Sequence, residues 1–227
     1  MTLEKMGEFF DSRLDGYEAH QLGCIDSATA FYPYTAALLP AFPGCRVLDL
    51  GCGTGLELSA YFALNPLARV TGIDLAGGML HALRMKFPDK PLTLVQGSYF
   101  DVPFGQACYD AAVSVESLHH FPLAQKIPLY ERLCAALKDG GYFVLTDYMA
   151  SDDAEEALHF SELDQLRQAQ RLCDGELYHY DTPLTRAHET EALLAGGFAR
   201  VEFLRQWKNT VTLKAYRSPR NGAPPSP

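Results

Sequence analysis

Short apolar runs alternate with amphipathic stretches along most of this chain. Near the N-terminus Phe9, Phe10, Leu14 and Tyr17 recur at helical spacing. Residues 28–39 predict a further helix, with Pro33 near its first turn and Pro40 ending it. Residues 45–50 form an apolar run between Gly44 and Gly51, the mark of a strand. From there the period switches repeatedly. Helices are expected over 56–64, 77–87 and 123–137, and strands over 69–73, 92–96, 109–115 and 142–147. The run 109–115 is apolar enough to be covered on both faces. A charged helical pattern follows over about 152–173. Residues 185–195 read as the last helix, stopped by Gly196 and Gly197, and 201–205 and 211–216 as alternating strands.

Strands alternating with helices over about 100 residues imply βαβ units and a parallel sheet. Right-handed crossovers put helices on both faces. The expectation is an α/β three-layer sandwich on a seven-stranded, mostly parallel sheet. No helix separates the final two strands, so the last should run antiparallel to the rest. The chain divides into a helical cap or lid over 1–43, a core over 44–147 and a helical covering insertion over 148–183. The last helix and strand pair occupy 184–217. A Pro/Gly/Ser-rich tail over 218–227 reads as disordered.

Charge narrows the partners. The 227 residues carry a net charge of −9 and no Lys/Arg run. Neutralising phosphates supplies much of a nucleic-acid binder's affinity, so RNA and DNA are poor candidates. No apolar run approaches the length needed to span a bilayer, and the first 20 residues are too charged for a signal peptide. The chain is expected to be cytoplasmic, a monomer or a homodimer, with no membrane partner. The six cysteines, Cys24, Cys45, Cys52, Cys108, Cys134 and Cys173, show neither a CxxC pair nor a nearby His at zinc-finger spacing. They read as reduced structural thiols, and no metal site is expected.

The chemistry concentrates at Val47-Leu48-Asp49-Leu50-Gly51-Cys52-Gly53-Thr54-Gly55-Leu56. A strand enters a glycine-rich turn and a helix leaves it. Glycines permit positive φ and remove the Cβ atoms that would keep a ligand off the backbone. The helix start adds N–H donors and partial positive charge. Such a turn also serves as a tight βα connection that binds nothing. Asp74 ends the second strand, 23 residues after Gly51. A carboxylate there can accept both hydroxyls of a ribose; it can equally cap the following helix. Leu56 stands where the dinucleotide GxGxxG would place its last glycine.

The series VLDLGCGTG, GIDLAGGML, QGSYFDVPF, YDAAVSVESLHHF and LKDGGYFVLTDY resembles the class I S-adenosylmethionine (SAM)-dependent methyltransferases of small-molecule type. Residues 45–147 follow that series in order, and 184–216 resemble the family's last helix and strand pair. The resemblance implies a Rossmann-like fold with SAM as cofactor and S-adenosylhomocysteine as product. It places Gly51, Cys52, Gly53 and Gly55 against the methionine part, with Asp49 supporting the loop and Asp74 on the ribose. Leu75 and Met79 would contact the adenosyl group, and Val115 would lie beside the cofactor. The family often has an acid where this chain has Ser98, so Ser98 and the backbone of Tyr99 are the adenine candidates. Asp101 fits a turn before Val102-Pro103.

The fourth strand should open toward the methyl acceptor, a small molecule. Glu116 is the carboxylate placed there, and His119-His120 is read as packing the loop. Two covering segments flank the mouth: Phe9–Asp11 with Tyr17 and His20, and 148–181 with Tyr148, His159, Tyr178, His179 and Tyr180. Tyr17, His20, Glu116 and Tyr148 are the candidates to position the acceptor. Trp207 and Asn209 are read as structural. The competing readings are a nicotinamide-dependent oxidoreductase, opposed by the glycine spacing and the missing Tyr-x-x-x-Lys, and a SAM-binding protein without activity.

Overall fold

A computed structural model describes residues 1–172 and 175–219. Cys173, at the end of the expected charged helix, and the expected tail from residue 220 onward lie outside the described residues.

Three short helices lead into the sheet: α1 (Met6–Ser12), α2 (Tyr17–Cys24) and α3 (Ala28–Ala37). Gly16, at φ 85°, separates the first two, so Phe9 and Phe10 sit on α1 and Tyr17 on α2. Pro33 lies in the second turn of α3, next to its first.

Strand and helix then alternate. β1 (Arg46–Leu50), α4 (Leu56–Leu64), β2 (Arg69–Asp74), α5 (Gly77–Lys86), β3 (Leu92–Gln96) and β4 (Tyr109–Val115) follow in order. Next come α6 (Leu123–Ala136), β5 (Leu137–Tyr148), α7 (Asp153–Gln170), α8 (Arg186–Ala195), β6 (Arg200–Trp207) and β7 (Thr210–Tyr216). β5 starts five residues before the expected 142. Leu137 already pairs with Tyr109, and the β4–β5 register shifts before Ala111 meets Tyr142. α7 stops at Gln170 because Arg171 turns left-handed, at φ 54°.

The seven strands form one sheet in the order β3-β2-β1-β4-β5-β7-β6. β3, β2, β1, β4 and β5 pair in parallel. β7 runs antiparallel to both β5 and β6, as the missing helix between the last strands requires.

Period-two alternation sends side chains to two cores. Val47, Val113 and Val144 pack with Phe31, Leu58, Tyr61, Leu80 and Leu83 from α3, α4 and α5. Leu48, Leu50, Ala112, Phe143 and Leu145 pack with Leu129, Tyr130, Leu133 and Leu193 from α6 and α8. Helices thus cover both faces, and the carboxyl ends of β1, β2 and β4 stay clear for a site.

Candidate functional site

The glycine-rich loop folds back at the end of β1. Gly51 N–H donates to the Ile73 carbonyl at 2.9 Å, and Gly55 N–H to the Cys52 carbonyl at 2.8 Å. Asp74, one strand over, accepts from the Gly53 N–H through Oδ2 at 2.8 Å and from the Ala76 N–H through Oδ1 at 2.9 Å. It therefore opens the turn into α5 and ties that turn to the loop. Burial raises its pKa against the pull of these backbone donors.

A narrow cleft of about 50 Å³ lies over these groups. Gly51, Gly53, Asp74, Leu75, Met79, Tyr99 and Val115 line it, together with Tyr17 and Glu116. Four other expected cofactor residues do not. Cys52 is buried, and its thiol fills the space over Gly72. Gly55 sits behind the cleft against Leu83. Asp49 is buried in β1. Ser98 faces a different hollow, and its Oγ accepts the Phe100 N–H at 3.1 Å. The hydroxyl is thus taken up by its own turn.

Asp49 meets Glu57, from the first turn of α4, as a buried carboxyl pair. Burial raises both pKa values, and the charge of Glu57 raises Asp49 further. Asp49 Oδ2, Thr54 Oγ1 and Glu57 Oε1 are buried without a hydrogen-bond partner among the described residues. Unpaired buried acceptors are costly. None of these three residues lines the cleft, so their acceptors lie behind the loop and not against a ligand there. A Cβ on Gly53 would meet nothing nearer than the Tyr17 hydroxyl at 3.9 Å, so the space above that residue is open to a ligand. That open backbone and the Asp74 carboxylate fit the amino-acid and ribose parts of SAM.

Beside the cleft is a cavity of about 950 Å³. Tyr17, His20, Glu116 and Tyr148, expected from sequence to hold the acceptor, all line it. Phe10, Tyr17, Glu116 and His120 line both spaces. Trp207 and Asn209 also face the larger cavity, although Trp207 packs on Phe31 and Tyr34 as a structural residue would. Burial raises the Tyr17 hydroxyl, with the charge of Asp74 adding to it, so it stays protonated at ordinary pH.

Glu116 occupies the turn after β4 in the left-handed region, at φ 49°. A non-glycine residue held there is strained, and such strain gathers at functional sites. Its Oε1 accepts from the Thr210 hydroxyl at 3.0 Å. Burial lifts its carboxyl to about 7, His119 pulling it down and Asp147 pushing it up.

The cluster around His119 was not legible beforehand. His119 Nδ1 lies 2.6 Å from Asp147 Oδ1, at the end of β5, and Asp147 Oδ2 accepts the Leu118 N–H at 2.9 Å. Asp181 approaches both His119 and His120. Burial works against a proton on His119, but Asp147 and Asp181 outweigh it and hold its pKa well above the ordinary value. The HH pair was visible in the sequence; nothing there links residues 119, 147 and 181.

The two covering segments are joined. Met6 N–H donates to the Leu177 carbonyl at 2.9 Å and His179 N–H to that of Glu4 at 3.0 Å. Phe9 stacks on His179 with centroids 3.5 Å apart. Burial lowers His179 to about 4. Tyr148 donates to Glu155 at 3.2 Å and lies 3.4 Å from His159. Tyr180 is tied to Glu162 at 2.7 Å.

Residues 48–145 match the family model described as a methyltransferase domain. A fatty-acid O-methyltransferase of Mycolicibacterium smegmatis is 34% identical over 55% of this chain and 46% of its own length. A sterol methyltransferase-like protein of Botryococcus braunii is 29% identical over 66% of this chain and 42% of its own. The chain thus spans less than half the length of these relatives. Among solved structures, human N-acetylserotonin methyltransferase in complex with SAM superposes with a TM-score of 0.62 at 18% identity, covering 93% of this chain and 55% of that one. That likeness bears on the fold.

Proposed function

We propose that the chain is a class I SAM-dependent methyltransferase, as the matched methyltransferase domain supports, and that it moves the methyl group of SAM to a small-molecule acceptor. The observation that carries this reading is the shared wall of the two spaces. Tyr17 and Glu116 border both the cleft beside the glycine loop and the larger cavity, so a cofactor in one would meet an acceptor in the other.

SAM, when bound, supplies an electrophilic methyl on a sulfonium, which an in-line acceptor takes as the S–CH₃ bond breaks and a neutral thioether leaves. The chain's own residues align and enclose. Asp74 would hold the ribose hydroxyls, and the loop backbone at Gly51 and Gly53 would hold the amino-acid end. Leu75, Met79, Tyr99 and Val115 supply apolar walls. Tyr17, His20 and Tyr148 would orient the acceptor. Glu116, with a carboxyl lifted to about 7, can take a proton from an acceptor hydroxyl or amine near neutral pH. Most of the acceleration comes from alignment and exclusion of water. Residues 1–43 and 148–183 act as the cover over the core at 44–147 and 184–217, and set acceptor choice. The negative net charge argues for a small acceptor rather than a nucleic acid.

Two measurements test the reading. Calorimetry with S-adenosylhomocysteine should show one site per chain. A panel of hydroxylated, carboxylic and amine acceptors with labelled SAM should then give turnover. Binding without turnover on any acceptor would leave a SAM-binding protein; no binding would remove the family's activity from this chain.

A further inference from the structure

We propose that His119, His120 and Asp181 form a binding site for a divalent cation of the zinc type in the wall of the larger cavity. The three donors come from two segments, the turn after β4 and the stretch before α8. His119 Nε2 lies 3.4 Å from Asp181 Oδ1, and His120 Nδ1 lies 3.2 Å from the same oxygen. All three ligand atoms fall within 4.8 Å of one another. Metal bonds of about 2.0–2.2 Å at tetrahedral angles set ligand atoms about 3.3 Å apart. A charge-assisted N–H···O bond would draw the same atoms to about 2.7–2.9 Å. The spacing at His119 suits a shared cation better than a shared proton.

The surroundings agree. Asp147 holds His119 by Nδ1, which leaves Nε2 as the free nitrogen. A carboxylate behind an imidazole, itself fixed by a backbone donor, is the usual outer support of a histidine ligand. Both imidazoles are buried while Asp181 is half-exposed, and all three residues line the cavity, so a fourth position is open to water or an oxygen donor. Two imidazole nitrogens favour zinc-like cations over Mg²⁺ or Ca²⁺. Glu116 stands 3.9 Å from His119 Nδ1, the nitrogen already committed to Asp147, and is not a ligand. In the cation-free alternative, His120 Nδ1–H donates to the Tyr180 carbonyl at 3.1 Å and Asp181 only neutralises the two rings.

The site is independent of the methyl-transfer reading, and so is its test. The full chain, stripped with chelator, is titrated calorimetrically with Zn²⁺ and with Mg²⁺, and loaded with Co²⁺ for visible spectroscopy. One Zn²⁺ per chain is expected, with no Mg²⁺ heat, and a Co²⁺ spectrum of a nitrogen and oxygen site without thiolate bands. H120A and D181N should each weaken Zn²⁺ at least tenfold, and D147N by about 10- to 100-fold through His119. D181N changes a half-exposed side chain, so it remains informative if a histidine variant fails to fold. Absence of Zn²⁺ binding to the wild-type chain, or Zn²⁺ affinity unchanged in D181N, overturns the proposal and leaves the cation-free arrangement.

Discussion

Asp74 Oδ2 accepts the Gly53 N–H at 2.8 Å, joining the end of β2 to the centre of the glycine loop. A carboxylate oxygen has two lone pairs, so this bond and the one from Ala76 leave an acceptor site on each oxygen. Asp74 can therefore shape the loop and hold a ligand's hydroxyls at once. Asp74→Ala should weaken S-adenosylhomocysteine by about 1.5–3 kcal/mol, roughly 10- to 100-fold, as hydrogen bonds to a charged acceptor are lost. Calorimetry checks it, and an unchanged affinity would detach the cleft from the ribose.

Two glycines of the loop should separate binding from stability. Gly53 lies at φ 47° and faces the cleft. Gly55 lies at φ 70° and a Cβ there would come within 2.5 Å of Leu83 Cδ1. Either alanine costs about 1–2 kcal/mol in the left-handed region. Gly53→Ala should add a loss of ligand affinity of tenfold or more. Gly55→Ala should instead show the larger fall in Tm, since Leu83 is buried and must shift. Thermal melts with and without ligand distinguish the two.

The Asp49–Glu57 pair makes a pH prediction. Burial raises both carboxyls, so each binds its proton more tightly folded than unfolded. Such groups favour the fold below their raised values and cost stability above them, and stability falls as pH rises out of the ordinary carboxylate range. Glu57→Gln removes one of the two acids and keeps a donor. It should raise Tm at about pH 8 and change it little at about pH 5. An equal shift at both values would mean that the pair does not titrate in this way.

Lys126 on α6 and Glu189 on α8 form an ion pair at 1% and 2% side-chain exposure, and the Tyr130 hydroxyl donates to the same carboxylate. Removing one partner leaves an uncompensated buried charge, at about 3–5 kcal/mol. Glu189→Ala should lose that much in urea unfolding. The double change to Lys126→Met and Glu189→Leu should lose less than either single change, because no charge is left stranded.

The backbone was mostly legible, because strand and helix periods differ and glycines mark the turns between them. Residues 56–64, 92–96 and 109–115 were bounded correctly by pattern alone. β5 was not, since its first residue, Leu137, joins through pairing with Tyr109 of β4 rather than through any local preference. Ser98 shows the same limit at the site. The family resemblance implied an adenine contact there, yet its hydroxyl oxygen accepts the Phe100 N–H.

Local order along the chain thus determined the sheet, its antiparallel last strand, and the place of Gly53 and Asp74 at adjoining strand ends, because those features follow from short-range periodicity and chain direction. Tertiary folding alone decided the meeting of His119, Asp147 and Asp181 and the pairing of Asp49 with Glu57. Their partners lie on different elements, and burial, which sets their protonation, exists only once those elements pack.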